Sequence, residues 1–205
     1  SNSLIQATGS GVVTVKGKGG DTGGSQRGIE SSNGDIIGGT SGTMIIEGIG
    51  GAASTNGSHD GIRLFSGAAI SSTGAHILIT GVAGGTVATT SNIGVNVSTN
   101  GVVAAAGTGN VTNTANGGVA TGVNQFGFAM GTGSSISTSS GNIIIFVYTF
   151  IYVCYLRSYY NIRLLYSFPY INKISKSCNL RHLIIIVYRV FHCWQCTKIK
   201  AWCNY

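Results

Sequence analysis

Five carboxylates, four histidines and five cysteines are the groups in this 205-residue chain that could carry acid–base, nucleophilic or metal chemistry. Glycoside hydrolysis needs two carboxyl groups roughly 5–10 Å apart across a sugar. Eliminations on acidic sugars need clustered acids with a metal or an arginine. The acids here are Asp21, Glu30, Asp35, Glu47 and Asp60, and His59-Asp60-Gly61-Ile62 sets a histidine beside one of them. Cys193-Trp194-Gln195-Cys196 is a CxxC, with Cys178, His182, His192 and Cys203 nearby in sequence, a set suited to thiol redox work or zinc. A redox CxxC opens a helix in a βαβ setting and a zinc ribbon needs a second CxxC, and neither accompanies this one. Gly17-Lys18-Gly19-Gly20-Asp21-Thr22 misses the phosphate-cradling GxGxxG spacing, and no helical pattern follows it.

Whether any of these groups meet depends on the elements that carry them, and those elements repeat. Gly28, Gly61, Gly94 and Gly127 are spaced by 33 residues, and the residue after each is large and apolar: Ile29, Ile62, Val95 and Phe128. Two positions later stand Ser31, Leu64, Val97 and Met130, and a further column at the same spacing reads Ile37, Ile70, Val103 and Ile136. A third apolar run recurs as Val13-Thr14-Val15, Met44-Ile45-Ile46, Ile77-Leu78-Ile79, a weaker Asn110-Val111-Thr112, and Ile143-Ile144-Ile145. Its first interval is 31, because the loop 17–28 is two residues shorter than 48–61. Each unit therefore holds three short β-branched runs and one Gly-rich loop, with no 3.6-residue periodicity. Ankyrin repeats share the length but need two helices, which these glycines oppose. The pattern predicts an all-β, right-handed parallel β-helix of about four coils with 33 residues per coil, equivalent residues stacking about 4.8 Å apart.

Stacking makes the charges a test of register. Arg27 falls beneath Asp60 and Glu30 beneath Arg63 at an interval of 33, and Lys16 falls beneath Glu47 at 31. Opposite charges on neighbouring strands contribute about 0.2–1 kcal/mol each, less where exposed. The same columns put Arg27 and Ile93 on either side of Asp60, Asp35 by Ala68, and Glu47 between Lys16 and Thr80, so no two carboxylates share a column. His59 and His76 have no stacked histidine or acid and are expected at solvent-exposed loop and strand positions. Asp21 lacks the repeated partner that a calcium-binding repeat requires. The Arg27–Asp60 and Glu30–Arg63 pairs are expected within about 4 Å and partly exposed, worth about 1 kcal/mol or less apiece. No catalytic residue, cofactor site or metal site is therefore assigned.

Units such as Ser72-Thr73-Gly74-Ala75-His76-Ile77-Leu78-Ile79-Thr80-Gly81-Val82-Ala83-Gly84-Gly85 resemble the Gly/Thr/Ser-rich repeats of large bacterial surface proteins, the filamentous-haemagglutinin-like and autotransporter-like adhesins. The resemblance covers residues 9–145. It implies export, a secreted or outer-membrane cell-surface location, and a structural or adhesive role directed at a host-cell or other extracellular ligand. His59-Asp60-Gly61-Ile62 has only a superficial likeness to the Asp-Gly-Ile turns of pectin-degrading β-helices.

The composition divides the chain. All 33 glycines and all five acids lie between Gly9 and Gly141, whereas all five cysteines, 15 of 18 aromatics and eight of 12 Lys/Arg lie from Phe146 onward. The first part carries −1 and the last sixty residues +8, so the basic balance says nothing about partners of the repeat. The fifth unit starts in register with Ile143-Ile144-Ile145, but Phe146-Val147 stands where a polar residue and a glycine are expected. The reading is two segments: 1–145, the repeat domain, and 146–205, a basic aromatic tail that reads as out-of-frame coding or disorder. Residues 143–156 are apolar but shorter than the roughly 20 residues a membrane-spanning helix needs, so membrane contact through the tail is not expected. Nucleic acid is not expected either, because no recognition motif accompanies the basic residues. The start at Ser1-Asn2-Ser3 shows no secretory signal, and a repeat already running at Gly9 reads as an internal piece of a longer protein.

Overall fold

The computed structural model describes residues 3–52, 57–85, 91–118 and 125–148, together with the strand backbones at Phe150–Val153, Arg163–Leu164 and Leu183–Val187. Alternating β-branched residues between Gly-, Ser- and Asn-rich corners give three strands per turn. The first turn is β1 (Leu4–Gln6), β2 (Thr14–Lys18) and β3 (Ile29–Ser32), and the second β4 (Asp35–Gly38), β5 (Thr43–Ile49) and β6 (Ile62–Phe65). The third is β7 (Ala69–Ser72), β8 (His76–Val82) and β9 (Ile93–Val97), and the fourth β10 (Val102–Ala105), β11 (Val111–Asn116) and β12 (Phe126–Met130). Then come β13 (Ser135–Thr138), β14 (Ile143–Val147), β15 (Phe150–Val153), β16 (Arg163–Leu164) and β17 (Leu183–Val187).

Strands pair in parallel with the strand one turn away, building three sheets: β1-β4-β7-β10-β13, then β16-β17-β14-β11-β8-β5-β2, then β15-β12-β9-β6-β3. The fold is an all-β parallel solenoid of about four turns, successive turns about 33 residues apart, as the repeat predicts. The described residues contain no helix, so none is long and apolar enough to cross a membrane. The composition break at Phe146 falls inside β14, whose ladder on β11 runs unbroken through Thr114↔Phe146 and Ala115↔Val147. The remainder of the tail, apart from its three strand backbones, lies outside the described residues.

Register in the third sheet follows the interval of 33 from β3 to β12: Ile29↔Ile62, Ile62↔Val95 and Phe128↔Val95; β15 then joins β12 at a shorter interval, Phe128↔Ile151, with a register shift. In the first sheet the expected column needs correction. Ile70 pairs with Ile36, not Ile37, and Asp35 lies by Ala69, not Ala68. The cause is a corner of unequal length: only Asn33 and Gly34 separate β3 from β4, whereas Ser66, Gly67 and Ala68 separate β6 from β7. Left-handed backbone makes this corner in every turn, at Asn33, Ser66, Gly67, Thr99, Asn100 and Gly133, and glycine meets that requirement without the penalty a Cβ brings. The second sheet keeps an interval of 33 only between β5 and β8; besides the expected 31 between β2 and β5, it steps by 34 from β8 to β11, 32 from β11 to β14 and 40 from β14 to β17. Ile77, Leu78 and Ile79 pair with Val111, Thr112 and Asn113, so the expected run from Asn110 sits one residue out of step. Four residues, 106–109, precede Asn110, where only Thr73, Gly74 and Ala75 precede His76.

Side chains that alternate inward make the core. Its columns are Ile36/Ile70/Val103/Ile136, Met44/Ile77/Val111/Ile143 and Ile62/Val95/Phe128, all buried. Burial of one such side chain is worth about 1.5–3 kcal/mol before conformational entropy is charged against it. One core column is interrupted. Asn113 stands between Ile79 and Ile145, is 1% exposed, and its Oδ1 has no hydrogen-bond partner. An orphaned buried acceptor costs about 1–3 kcal/mol, and the neighbouring turns accommodate isoleucine at the same inward position. Asn113→Ile is therefore expected to raise stability by about 1–3 kcal/mol, seen as a higher urea midpoint at unchanged slope.

Candidate binding face at the loop corner

Between the second and third sheets each turn leaves the coil in a Gly-rich excursion and comes back. The outgoing and returning arms of successive turns are stitched together by their backbones. Gly51 N donates to Gln26 O at 2.8 Å and Gly84 N donates to His59 O at 2.7 Å. Close approach of these arms requires glycine: a Cβ on Gly50 or Gly84 would lie 2.1 Å from the carbonyl oxygen of His59 or Gly51.

At the base of the returning arms stands a polar column. Gln26, His59, Asn92 and Gln125 recur at intervals of 33. Gln26 N donates to His59 Nδ1 at 3.2 Å, His59 N donates to Asn92 Oδ1 at 3.0 Å, and Asn92 Nδ2 donates to Gln125 Oε1 at 3.0 Å. His59 and Asn92 are both fully buried. The expectation of an exposed His59 is thus corrected: it is buried, and its imidazole Nδ1 accepts from a backbone N–H where the returning arm joins the coil. For His76 the exposed strand position is as expected, its Nδ1 accepting from Asn110 N at 3.0 Å. The interval arithmetic applied to charged and apolar residues would also have found this polar column.

Next to that column lies the charge cluster. Lys16 Nζ is 2.7 Å from Glu47 Oε2, Arg27 Nε 4.0 Å from Asp60 Oδ2, and Arg63 Nη1 3.8 Å from Glu30 Oε1, so all three expected inter-turn pairs form. A fourth contact, Arg27 Nη1 to Glu30 Oε2 at 2.6 Å, links two of them into one network. It runs between residues three apart, which no stacking column brings together. The guanidinium of Arg63 also lies over the Phe65 ring, 4.4 Å from its centroid.

Asp60 departs from expectation in its environment. It is 1% exposed rather than partly exposed, and its Oδ1 accepts from Ile93 N at 3.0 Å while Oδ2 accepts from Asn96 Nδ2 at 3.3 Å. Burial raises its pKa to about 6, against the opposing pull of Asn96, Ile93 N, Arg27 and Arg63. The loss of one partner here exceeds the surface-pair value, because Asp60 also holds a buried backbone N–H.

In chemical terms the corner is a self-paired patch. Glu30 and Asp60 each face arginine and Glu47 faces lysine; Asp21 Oδ1 accepts from Ala52 N of the next turn at 3.4 Å. Among the described residues no group of three or more His, Cys, Asp or Glu is placed to hold a metal ion. The CxxC at Cys193 and Cys196, with Cys178, His182, His192 and Cys203, lies outside the described residues. Comparison with known protein families, with curated proteins and with solved structures finds no match for this chain.

Proposed function

We propose that this chain is part of a bacterial cell-surface or secreted β-helix protein, acting as a rigid stalk or adhesive surface without catalysis. One observation carries the reading: the charged and polar side chains at the loop corner are engaged from one turn to the next. Lys16–Glu47, Glu30–Arg63 and Arg27–Asp60 span adjacent turns, as do the contacts of Gln26, His59 and Asn92. Groups so engaged hold the coil in register and leave its outer faces as the surface available to a host-cell or other extracellular ligand. The adhesin-like repeats at residues 9–145 support the same role.

The test is binding of the labelled full chain to epithelial cells and to immobilised extracellular glycans, run beside incubation with acidic polysaccharide. Saturable adhesion without sugar release is the expected result. Polysaccharide cleavage that Asp60→Ala abolishes would replace the reading with a carbohydrate-active enzyme. Extraction that requires detergent, and ceases to on deletion of residues 146–205, would replace it with a membrane-anchored protein.

A further inference from the structure

The break in composition at Phe146 does not break the solenoid. β13 and β14 begin a further turn, and β15, from beyond the break, completes it on β12 through Phe128↔Ile151 and Met130↔Val153. β17 then continues the second sheet on β14, from Ile143↔Leu183 to Val147↔Val187 without a shift. The core is closed at this level, with Ile143, Ile145 and Val147 at 4%, 0% and 0% exposed. β17 reads Leu-Ile-Ile-Ile-Val, apolar throughout as interior strands of parallel sheets are. Beyond it the order reverses. From β2 through β5, β8, β11 and β14 to β17, each next strand in space comes later in the chain. β16 precedes β17 in the chain yet lies outside it, with Arg163↔Ile184 and Leu164↔Ile185. β17 is thus inserted between the coil and an earlier segment, and β16 takes the edge that a further coil would use. β16 is two residues long and contains an arginine, and shortness and charge both make a sheet edge a poor template.

We propose that β15, β17 and β16 form a cap on this solenoid, β15 and β17 lying over its last repeat strands and β16 blocking strand addition to the second sheet. The surface they fit is the chain's own β12 and β14. This gives a folded role to residues whose composition reads as out-of-frame coding or disorder. It also gives the composition a physical reason: a cap must be apolar toward the coil and charged toward water. The segment from Phe146 onward supplies both, with 15 of the 18 aromatics, eight Lys/Arg and no acid. Left bare, β14 would present five residues of unpaired backbone, Ile-Ile-Ile-Phe-Val, as a template for another chain. The role is independent of any ligand bound by the repeat.

Hydrogen exchange on the full chain, read residue by residue by NMR, tests this. Val111 N donates to Asn142 O and Tyr148 N donates to Ala115 O, so the even-numbered positions of β14 bond toward β11. By alternation the N–H groups of Ile145 and Val147 point toward β17. With the cap in place Ile145 and Val147 exchange as slowly as Ile144 and Phe146, to within about tenfold. Exchange at Ile145 and Val147 faster than that margin means an open edge on β14 and overturns the proposal. Ile185→Asp puts a charge in β17 at the register position of Ile145. It is expected to speed exchange at Ile145 and Val147 at least about 100-fold while β5 and β8 stay protected, because a solenoid turn contacts only its neighbours. The uncovered edge should also make this variant self-associate in sedimentation velocity. Ile185→Val should exchange as the parent does. Parent-like exchange at Ile145 and Val147 in Ile185→Asp would equally overturn the cap. The comparison within β14 needs no variant, so it decides even where Ile185→Asp prevents folding.

Discussion

Between pH 4 and pH 7 the folding stability of this protein is expected to fall as pH rises, and Asp60→Asn is expected to remove most of that fall. Asp60 is 1% exposed and its carboxyl titrates at about 6 rather than 3.8, with burial as the leading cause. A group that holds its proton more tightly when folded gives the folded state extra bound protons between the two values. Its contribution is therefore complete below about pH 4 and is lost as pH passes through 6. The gap between 6 and 3.8 corresponds to about 3 kcal/mol at most. Asparagine keeps an acceptor for Ile93 N and has no charge to desolvate, so its profile should be flatter by about 2 kcal/mol or more across this range. Urea unfolding of both proteins at matched pH values reads the difference directly, and groups common to the two cancel. Parallel profiles would show that Asp60 ionises in the folded protein as it does in water. Asp60→Ala should cost about 2–4 kcal/mol near pH 4, because Ile93 N and Asn96 Nδ2 both lose an acceptor, and the cost should shrink as pH passes through 6, since alanine lacks the titrating carboxyl.

That environment is the part of the site least legible in the sequence. Column arithmetic placed Asp60 between Arg27 and Ile93, and both neighbours are where it put them. Burial does not follow from a column, because it depends on how the outgoing and returning arms close over the start of β6. The polar column is different: Gln26, His59, Asn92 and Gln125 stand at the same spacing as the glycines and needed only to be read as a ladder of side chains. Strand identity was legible wherever a β-branched run met glycine at constant spacing, as in the third sheet. It slipped by one residue at Ile36 and Val111, where a corner gains or loses a residue and the chain resumes its ladder with shifted numbering. Corners are thus where a fixed period misleads, since a left-handed turn can be closed with either two or three residues.

Gly48→Ala is expected to destabilise the fold by about 3 kcal/mol or more, or to prevent folding, although it adds a single methyl group. Gly48 lies inward in β5, stacked between Gly17 and Gly81. A Cβ there would meet the carbonyl oxygen of Gly61 at 2.2 Å, its carbon at 2.8 Å and Ile62 Cγ1 at 2.5 Å. The oxygen cannot easily retreat. It accepts from Ile29 N at 3.0 Å, and Gly61 N donates to Ile93 O at 2.9 Å, so moving this backbone disturbs the turns on both sides. Overpacking against side chains usually costs about 1–3 kcal/mol, and a doubly tethered backbone has less freedom to relax than a side chain. The constraint is local: the same column carries Ala115 and Val147 in later turns, while Gly81 meets Gly94 O at 2.2 Å and should behave like Gly48. Gly20 supplies the contrast, because a Cβ there would touch only the Gln26 side chain, at 2.9 Å to Oε1. Gly20→Ala should cost about 1 kcal/mol or less, since a flexible amide can turn aside and alanine restricts the unfolded chain. Urea midpoints for the three variants should therefore separate Gly48 and Gly81 from Gly20 by at least about 2 kcal/mol at constant slope. Equal midpoints would mean that the second and third sheets do not approach at this glycine column, and the packing of the loop corner would have to be redrawn.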